Sequence, residues 1–574
     1  MNKKDEFKPY IPADRVMPEL TVTSIIMGVL LAVIFGAANA YLGLRVGMTV
    51  SASIPAAVIS MGVIRIIMRK NSILESNMVQ TIGSAGESLA AGAIFTMPAL
   101  FLWAEEGLCS MPSLVEITLI ALCGGVLGVL FMVPLRNALI VKEHQTLLYP
   151  EGTACADVLL AGEEGGANAS TVFSGMGLAA VFKFIVDGLK VIPADVSAAF
   201  KSFKGEIGME VYPALLGVGY IVGPKIASYM FVGSVFGWLV IIPLICLFGP
   251  DTWLYPAEAG TTIAQLYAGG GAAAIWSTYV KYIGAGAIAT GGIISLIKSL
   301  PLIVIFGFFF ATVSSRMVGL VGSSNNPVSG MAIATLLIAT MAIKGSGKTG
   351  IDGMTAAIAI GSVICIIAAI AGDTSQDLKT GYLLGATPKK QQIGELIGVL
   401  ASGLAIGGVL YLLNAAWGYG GAEVPAPQAT LMKMIVEGIM GGNLPWNLVF
   451  VGVFLALGLE ILRIPVMPFA IGLYLPIYLN ATIMIGGVVR MVMDARKNVD
   501  EKTKEQQSTD GTLYCAGMIA GEGLVGILLA IFAVFGINTS IGESVNFGNI
   551  GGVILMVLMI ASLLYFSLKK KKKA

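Results

Sequence analysis

The chain has 574 residues, of which 56% are hydrophobic and only 12% charged, with a formal net charge of +1 and a mean hydropathy of +0.85. That balance excludes a soluble globular domain and gives no electrostatic basis for nucleic-acid binding, so the chain reads as a multi-pass membrane protein. Six cysteines scattered singly (Cys109, Cys123, Cys155, Cys246, Cys365, Cys515) and one histidine, His144, argue against a zinc or iron–sulfur site, and no cofactor or bound metal is expected.

Residues 1–22 are charged and proline-bearing, with no small-residue cleavage site behind a short apolar core, so the first apolar run is expected to be a retained span. A crossing takes about 20 mostly apolar residues, and on that measure the chain holds about sixteen. They centre near 23–45, 49–69, 78–103, 114–135, 170–193, 211–225, 226–249, 276–298, 301–321, 329–343, 351–372, 391–415, 447–463, 467–490, 512–537 and 549–568, with the 211–249 stretch divisible in more than one way. The expected fold is an all-α polytopic membrane protein of about 16 transmembrane helices.

Basic residues resist translocation, and Lys3, Lys4, Arg15, Arg69, Lys70, Arg136, Lys142, Lys344, Lys348 and Lys569 to Lys573 fall on one side. Both termini are therefore expected in the cytoplasm, with the chain in the plasma or inner membrane. Lys389 and Lys390 disagree with a simple count, so 372–390 is expected to be a broken or re-entrant segment. Polar themes recur in the same order on either side of residue 300, which predicts two pseudo-repeated halves, 23–300 and 301–568, between a cytoplasmic segment 1–22 and a basic tail 569–574. Substrate is expected between such halves.

Four polar places interrupt the apolar runs. In the first, Gln80, Gly83 and Glu87 lie at i, i+3 and i+7 on one helical face. The second runs from Tyr149 to Asp157, with Pro150 where a helix starts and Glu151 in its first turn; helix capping and a gating contact account for it equally well. His144, between charged neighbours, reads as a solvated loop residue rather than a proton carrier. The third, Ser323 to Gly330, offers the amides of Asn325 and Asn326 beside Pro327, the composition of a substrate-facing broken helix or of a plain turn.

The fourth, Gly372 to Tyr382, carries most weight. It sets Asp373, Gln376, Asp377, Lys379 and Thr380 into an otherwise apolar run, where an ionisable side chain persists only against protein, an ion or water. Lys379 is expected to neutralise Asp373 or Asp377. Glu395, Glu460 with Arg463, and Glu522 are secondary candidates. Gly345 to Thr349 imitates a phosphate loop but has Ala342 where that loop needs glycine, and no ATP-hydrolysing machinery is visible.

Several blocks together resemble the oligopeptide transporter family, including its yellow-stripe-like branch: Asn77 to Glu87, Tyr149 to Asp157, Ser323 to Gly330, Gly372 to Gly381, Pro425 to Ala429 and Pro468 to Pro476. The resemblance extends from Tyr41 to Glu522 and implies a secondary carrier, not an enzyme, for small peptides, peptide conjugates or metal complexes of amino-acid-derived chelators, commonly with protons. On this reading the substrate contacts are Gln80, Glu87, Asn325, Asn326, Gln376 and Lys379, and the proton-coupling acids are Asp373, Asp377 and Glu87. Tyr149, Glu151 and Asp157 are gating or structural. A metal–chelate carrier is the alternative, and a channel or an intramembrane protease fits less well. The small-residue faces suit a homodimer and internal packing alike.

Overall fold

The computed structural model describes residues 7–568 apart from 13, 48, 50–52, 65–71, 164–167, 258–259, 299–305, 322–325, 327, 422, 442–444, 497–498 and 542–546. Among the described residues, eleven helices are long and apolar enough to cross a membrane, and Ser53–Gly62, Phe308–Leu320 and Asn447–Ile461 are shorter apolar helices. The expected count of about sixteen is not confirmed among the described residues.

One reason is local backbone chemistry. The runs 211–225 and 226–249 form a single helical rod, Pro213–Phe248, bent at Gly223, whose φ of 83° only glycine adopts freely, ahead of Pro224, which has no N–H to donate. Between 170–193 and this rod, a two-stranded antiparallel hairpin, Asp195–Phe200 with Gly205–Glu210, pairs Asp195 with Glu210 and Phe200 with Gly205.

A second correction concerns 372–390. The expected break is absent: Ile351–Leu384 is one continuous helix of 34 residues. It stops only at Gly385, at φ 90°, whose N–H donates to the Gly381 carbonyl at 2.8 Å. Pro388–Trp417 follows. The side chains of the polar segment find partners on neighbouring helices, so its backbone has no need to open. Interruptions occur elsewhere, at Gly270 and Gly271 within Ile263–Ile275 and at Leu475–Pro476 between Val466–Tyr474 and Ile477–Asp494.

The chain forms two compact units that alternate along the sequence. The first comprises Met1–Phe173, Ser299–Val436 and Gly526–Val534; the second comprises Ser174–Lys298, Glu437–Val525 and Phe535–Ala574. At the centre of the first, every residue of Ile73–Ile94 is buried, polar ones included. Val22–Val46, Leu114–Arg136, Ile351–Leu384 and Pro388–Trp417 pack close to one another around it. Its small side chains admit that approach: a methyl group on Gly92 would strike the Ile366 backbone.

In the second unit, Pro213–Phe236 packs on Ile477–Asp494 and Val466–Tyr474. Here backbones touch, since a Cβ on Gly219 would press into the Ile483 carbonyl oxygen and one on Gly472 into that of Met230. Lys183, fully buried, pairs with Asp187 and lies 4.0 Å from Glu522. Asp187 also accepts from Tyr212 Oη at 2.8 Å, and Glu522 from the Ala214 N–H at 2.7 Å. These charges are mutually satisfied, as buried ions must be. Gly219→Val is expected to force this helix pair apart, at about 1–3 kcal/mol or more, read as a lower melting temperature of the purified protein; an unchanged melt would show that the crossing yields.

Candidate functional site

Within the first unit, Asn77, Gln80, Thr81 and Ser84 fall on one face of Ile73–Ile94, and Asp373 and Asp377 stand one turn apart on Ile351–Leu384. The two stripes meet in antiparallel order. Gln80 Nε2 donates to Asp377 Oδ1 at 2.5 Å, and Ser84 Oγ to Asp373 Oδ2 at 2.7 Å, with Ser53 Oγ 2.7 Å from Ser84. A third helix, Pro388–Trp417, closes the group. Gln391 Nε2 donates to the Asp377 carbonyl at 2.5 Å and to Thr81 Oγ1 at 3.1 Å, while Glu395 accepts from Thr374 Oγ1 at 3.3 Å, which sets its carboxyl within electrostatic reach of that of Asp377.

The result is three carboxyl groups, Asp373, Asp377 and Glu395, at 1%, 0% and 0% exposure. Among the described residues, no lysine, arginine or histidine pairs with any of them. One oxygen of each, Asp373 Oδ1, Asp377 Oδ2 and Glu395 Oε1, has no hydrogen-bond donor. Gln80 Oε1 and both amide atoms of Asn77 are equally unpartnered. Buried polar atoms are nearly always paired, so this concentration marks a place built to take up something more.

Lys379 does not neutralise these acids, contrary to the sequence expectation. It lies about 200° around the helix from Asp377 and points the other way. Its ammonium donates to the carbonyls of His144 (3.1 Å) and Leu147 (3.0 Å), sits 2.9 Å from His144 Nδ1, and lies over the Tyr149 ring. His144 is accordingly a partner of the helix rather than a free loop residue. Partial burial and then the Lys379 charge hold its imidazole below the ordinary histidine value. Phe7 stacks on Tyr382 and tilts against His144, and the N–H groups of Tyr10 and Ile11 cap the carbonyls of Leu383 and Leu384.

Beside the carboxyls, Gln376 grips the start of Pro150–Glu163. Its Nε2 donates to Glu151 Oε2 at 2.8 Å, its Oε1 accepts from the Gly152 N–H at 2.8 Å, and Thr380 Oγ1 donates to the Gly152 carbonyl at 2.8 Å. Glycine is required there, because a Cβ on Gly152 would lie 2.6 Å from the Gln376 carbonyl oxygen. Asn326 donates from Nδ2 to Ser314 Oγ at 2.7 Å and borders Gly372, one residue before Asp373.

The structure therefore gathers Gln80, Asp373 and Asp377, with Gln376, Asn326, Lys379, Tyr149 and Glu151 adjoining. Glu87 lies two turns along the helix from Gln80, hydrogen-bonded by Asn39 of Val22–Val46 and apart from the carboxyls, and Asp157 is exposed. Asn325 lies outside the described residues. Sequence reasoning passed over Ser84, Thr374, Gln391 and Asn39, and held Glu395 as secondary; Gln391 and Glu395, one turn apart in an apolar run, were the available signal.

The family model described as OPT oligopeptide transporter protein matches residues 19–301 and 298–533. The chain belongs to the OPT family. A Haemophilus influenzae protein named for oligopeptide transport is 30% identical to it over 92% of this chain and 98% of its own length. Two proteins named for metal-nicotianamine transport, YSL10 of Oryza sativa subsp. japonica and YSL5 of Arabidopsis thaliana, are each 27% identical, over 33% and 32% of this chain and 29% and 28% of their own. This OPT member is thus a multi-pass membrane transporter and not an enzyme.

Proposed function

We propose that this OPT transporter takes up small peptides or peptide-derived conjugates by alternating access, driven by protons carried on Asp373 and Asp377. The supporting observation is the fully buried carboxyl cluster with no cation on it among the described residues, since such groups persist in a membrane protein where they carry an ion or a proton. Gln80, Gln376, Asn325 and Asn326 supply amides for the solute's peptide groups, and Lys379 a positive charge for its carboxylate once released from the His144 loop. Glu87 serves as an outlying acid. The termini are placed in the cytoplasm and the chain in the cell membrane.

The relative aligned over nearly its whole length carries the peptide name, which favours peptides. Relatives matched over about a third carry the metal-nicotianamine name, which supports a metal–chelate complex as the second reading. The test is uptake of a labelled tripeptide mixture, including glutathione, into proteoliposomes with and without an inward proton gradient. Saturable, gradient-dependent accumulation is expected. Equal uptake without the gradient would remove the proton, and uptake of a metal–nicotianamine complex alone would select the second reading.

A further inference from the structure

We infer that Asp377 and Glu395 share a single proton between their two helices, which makes Glu395 a proton-coupling residue. This rests on the proton-driven reading above, and it adds a group on a second helix that neither the polar segment nor the family resemblance assigned.

Glu395 is 0% exposed and sits one turn after Gln391, so both side chains lie on the face of Pro388–Trp417 turned toward Ile351–Leu384. Gln391 reaches the Asp377 carbonyl, and Glu395 reaches Thr374, three residues before Asp377 on the same helix face, which brings the two carboxyls within electrostatic reach. The supply of protein donors favours one shared proton. Ionised carboxylates only accept, and the donors in place serve one oxygen of each group: Gln80 Nε2 on Asp377 Oδ1 and Thr374 Oγ1 on Glu395 Oε2. The other two oxygens, Asp377 Oδ2 and Glu395 Oε1, have no donor. One proton satisfies both, because the O–H of one acid donates to the carboxylate oxygen of the other, a short charge-assisted bond. Two protons would leave an O–H in competition, and none would set two buried anions in contact.

An independent sign comes from the facing helix. Gln80 Oε1 is orphaned although its own Nε2 rests on Asp377, and Asn77, less than a full turn away on the same stripe and 0% exposed, has neither amide atom paired. The unpaired atoms thus continue from the acids into neutral amides, as they do where a mobile hydrogen-bonding species is accommodated. Asp373, held by Ser84, and the buried Cys155 thiol of Pro150–Glu163 are the further titratable groups facing the pair.

The consequence is mechanical. The proton stands at the contact between Pro388–Trp417 and Ile351–Leu384. When it leaves to water, both oxygens are anionic and repel, so the contact between the two helices weakens at the carboxyls while Gln391 still bridges them.

The test is infrared difference spectroscopy of the full chain in lipid during a pH titration, with no solute, alongside proteoliposome uptake. One deuterium-sensitive protonated-carboxyl band common to the pair is expected, lost in D377N, lost equally in E395Q, and not further reduced in the double variant, because each new amide donates an N–H where the proton stood; D373N keeps this band and removes only the separate one of Asp373. E395Q is expected to lose gradient-driven accumulation and the wild-type pH profile, with E395D restoring part of both. Two bands removed separately by the two variants, or an E395Q protein with the wild-type band and pH profile, would overturn the shared proton. Because the band is read without solute, failure of the peptide or gradient assignment leaves this result interpretable on its own.

Discussion

Asp377→Asn is expected to abolish gradient-driven accumulation while the protein stays folded. The substitution is nearly isosteric: Asn keeps an oxygen to accept from Gln80 Nε2, now at 2.5 Å from the carboxylate, and its new NH2 points a donor toward Glu395 Oε1, which has none. The Gln391 bond goes to the Asp377 backbone carbonyl and is untouched. Stability should therefore hold or rise, since a buried acid is replaced by a neutral group with the same neighbours. An amide cannot release and rebind a proton, so uptake should drop to the level of empty liposomes under any gradient. Accumulation in proteoliposomes and the melting temperature, measured on the same preparation, check both halves, with Asp377→Glu expected to recover part of the pH dependence. A variant that accumulates solute like the wild type would remove Asp377 from the coupling.

The location of this site was legible in the sequence while its wiring was not. Gly372 to Tyr382 stands out because carboxyls and amides are costly in hydrocarbon, and that argument needs no partner. What it cannot supply is the partner: Gln80 and Asp377 are 297 positions apart, and only packing brings them together. The segment was accordingly expected to break the helix, when the polar groups needed only neighbouring helices and Gly385 as a stop. Lys379 shows the same limit. Sequence proximity pairs it with the adjacent acids, whereas helical geometry turns it to a loop 235 residues earlier, and a histidine that looked solvated becomes its partner. Span counting has a different limit, because a length rule does not merge runs across a Gly–Pro bend such as the one at Gly223–Pro224. Apolar run and helix coincide where no bend interrupts them, as in Val22–Arg45 and Gly548–Leu568.

Lys379→Met is expected to loosen the loop that carries His144 and Leu147 and to lower stability by about 2 kcal/mol. The ammonium is 2% exposed and serves two backbone carbonyls and the imidazole, all within 3.1 Å, so methionine fills the volume but leaves acceptors without a donor. Lys379→Arg should not rescue it, because a planar guanidinium does not reproduce a compact ammonium among three converging acceptors. The same contact sets a pH dependence. His144 has a folded-state value below its unfolded one of about 6.5, so as pH falls through that value the unfolded chain binds a proton that the folded chain refuses. Stability is therefore lost on acidification from about 6.5 down to the folded value and not further below it. Protonation also turns Nδ1 from an acceptor into a donor facing Lys379, which works in the same direction. In Lys379→Met the second cause of the depression is gone and partial burial remains, so the slope should shrink without vanishing, and His144→Asn should flatten it. Melting temperatures of the three proteins between about pH 5 and 8 separate these cases: equal slopes in all of them would mean that the His144–Lys379 contact does not hold the loop to the polar helix.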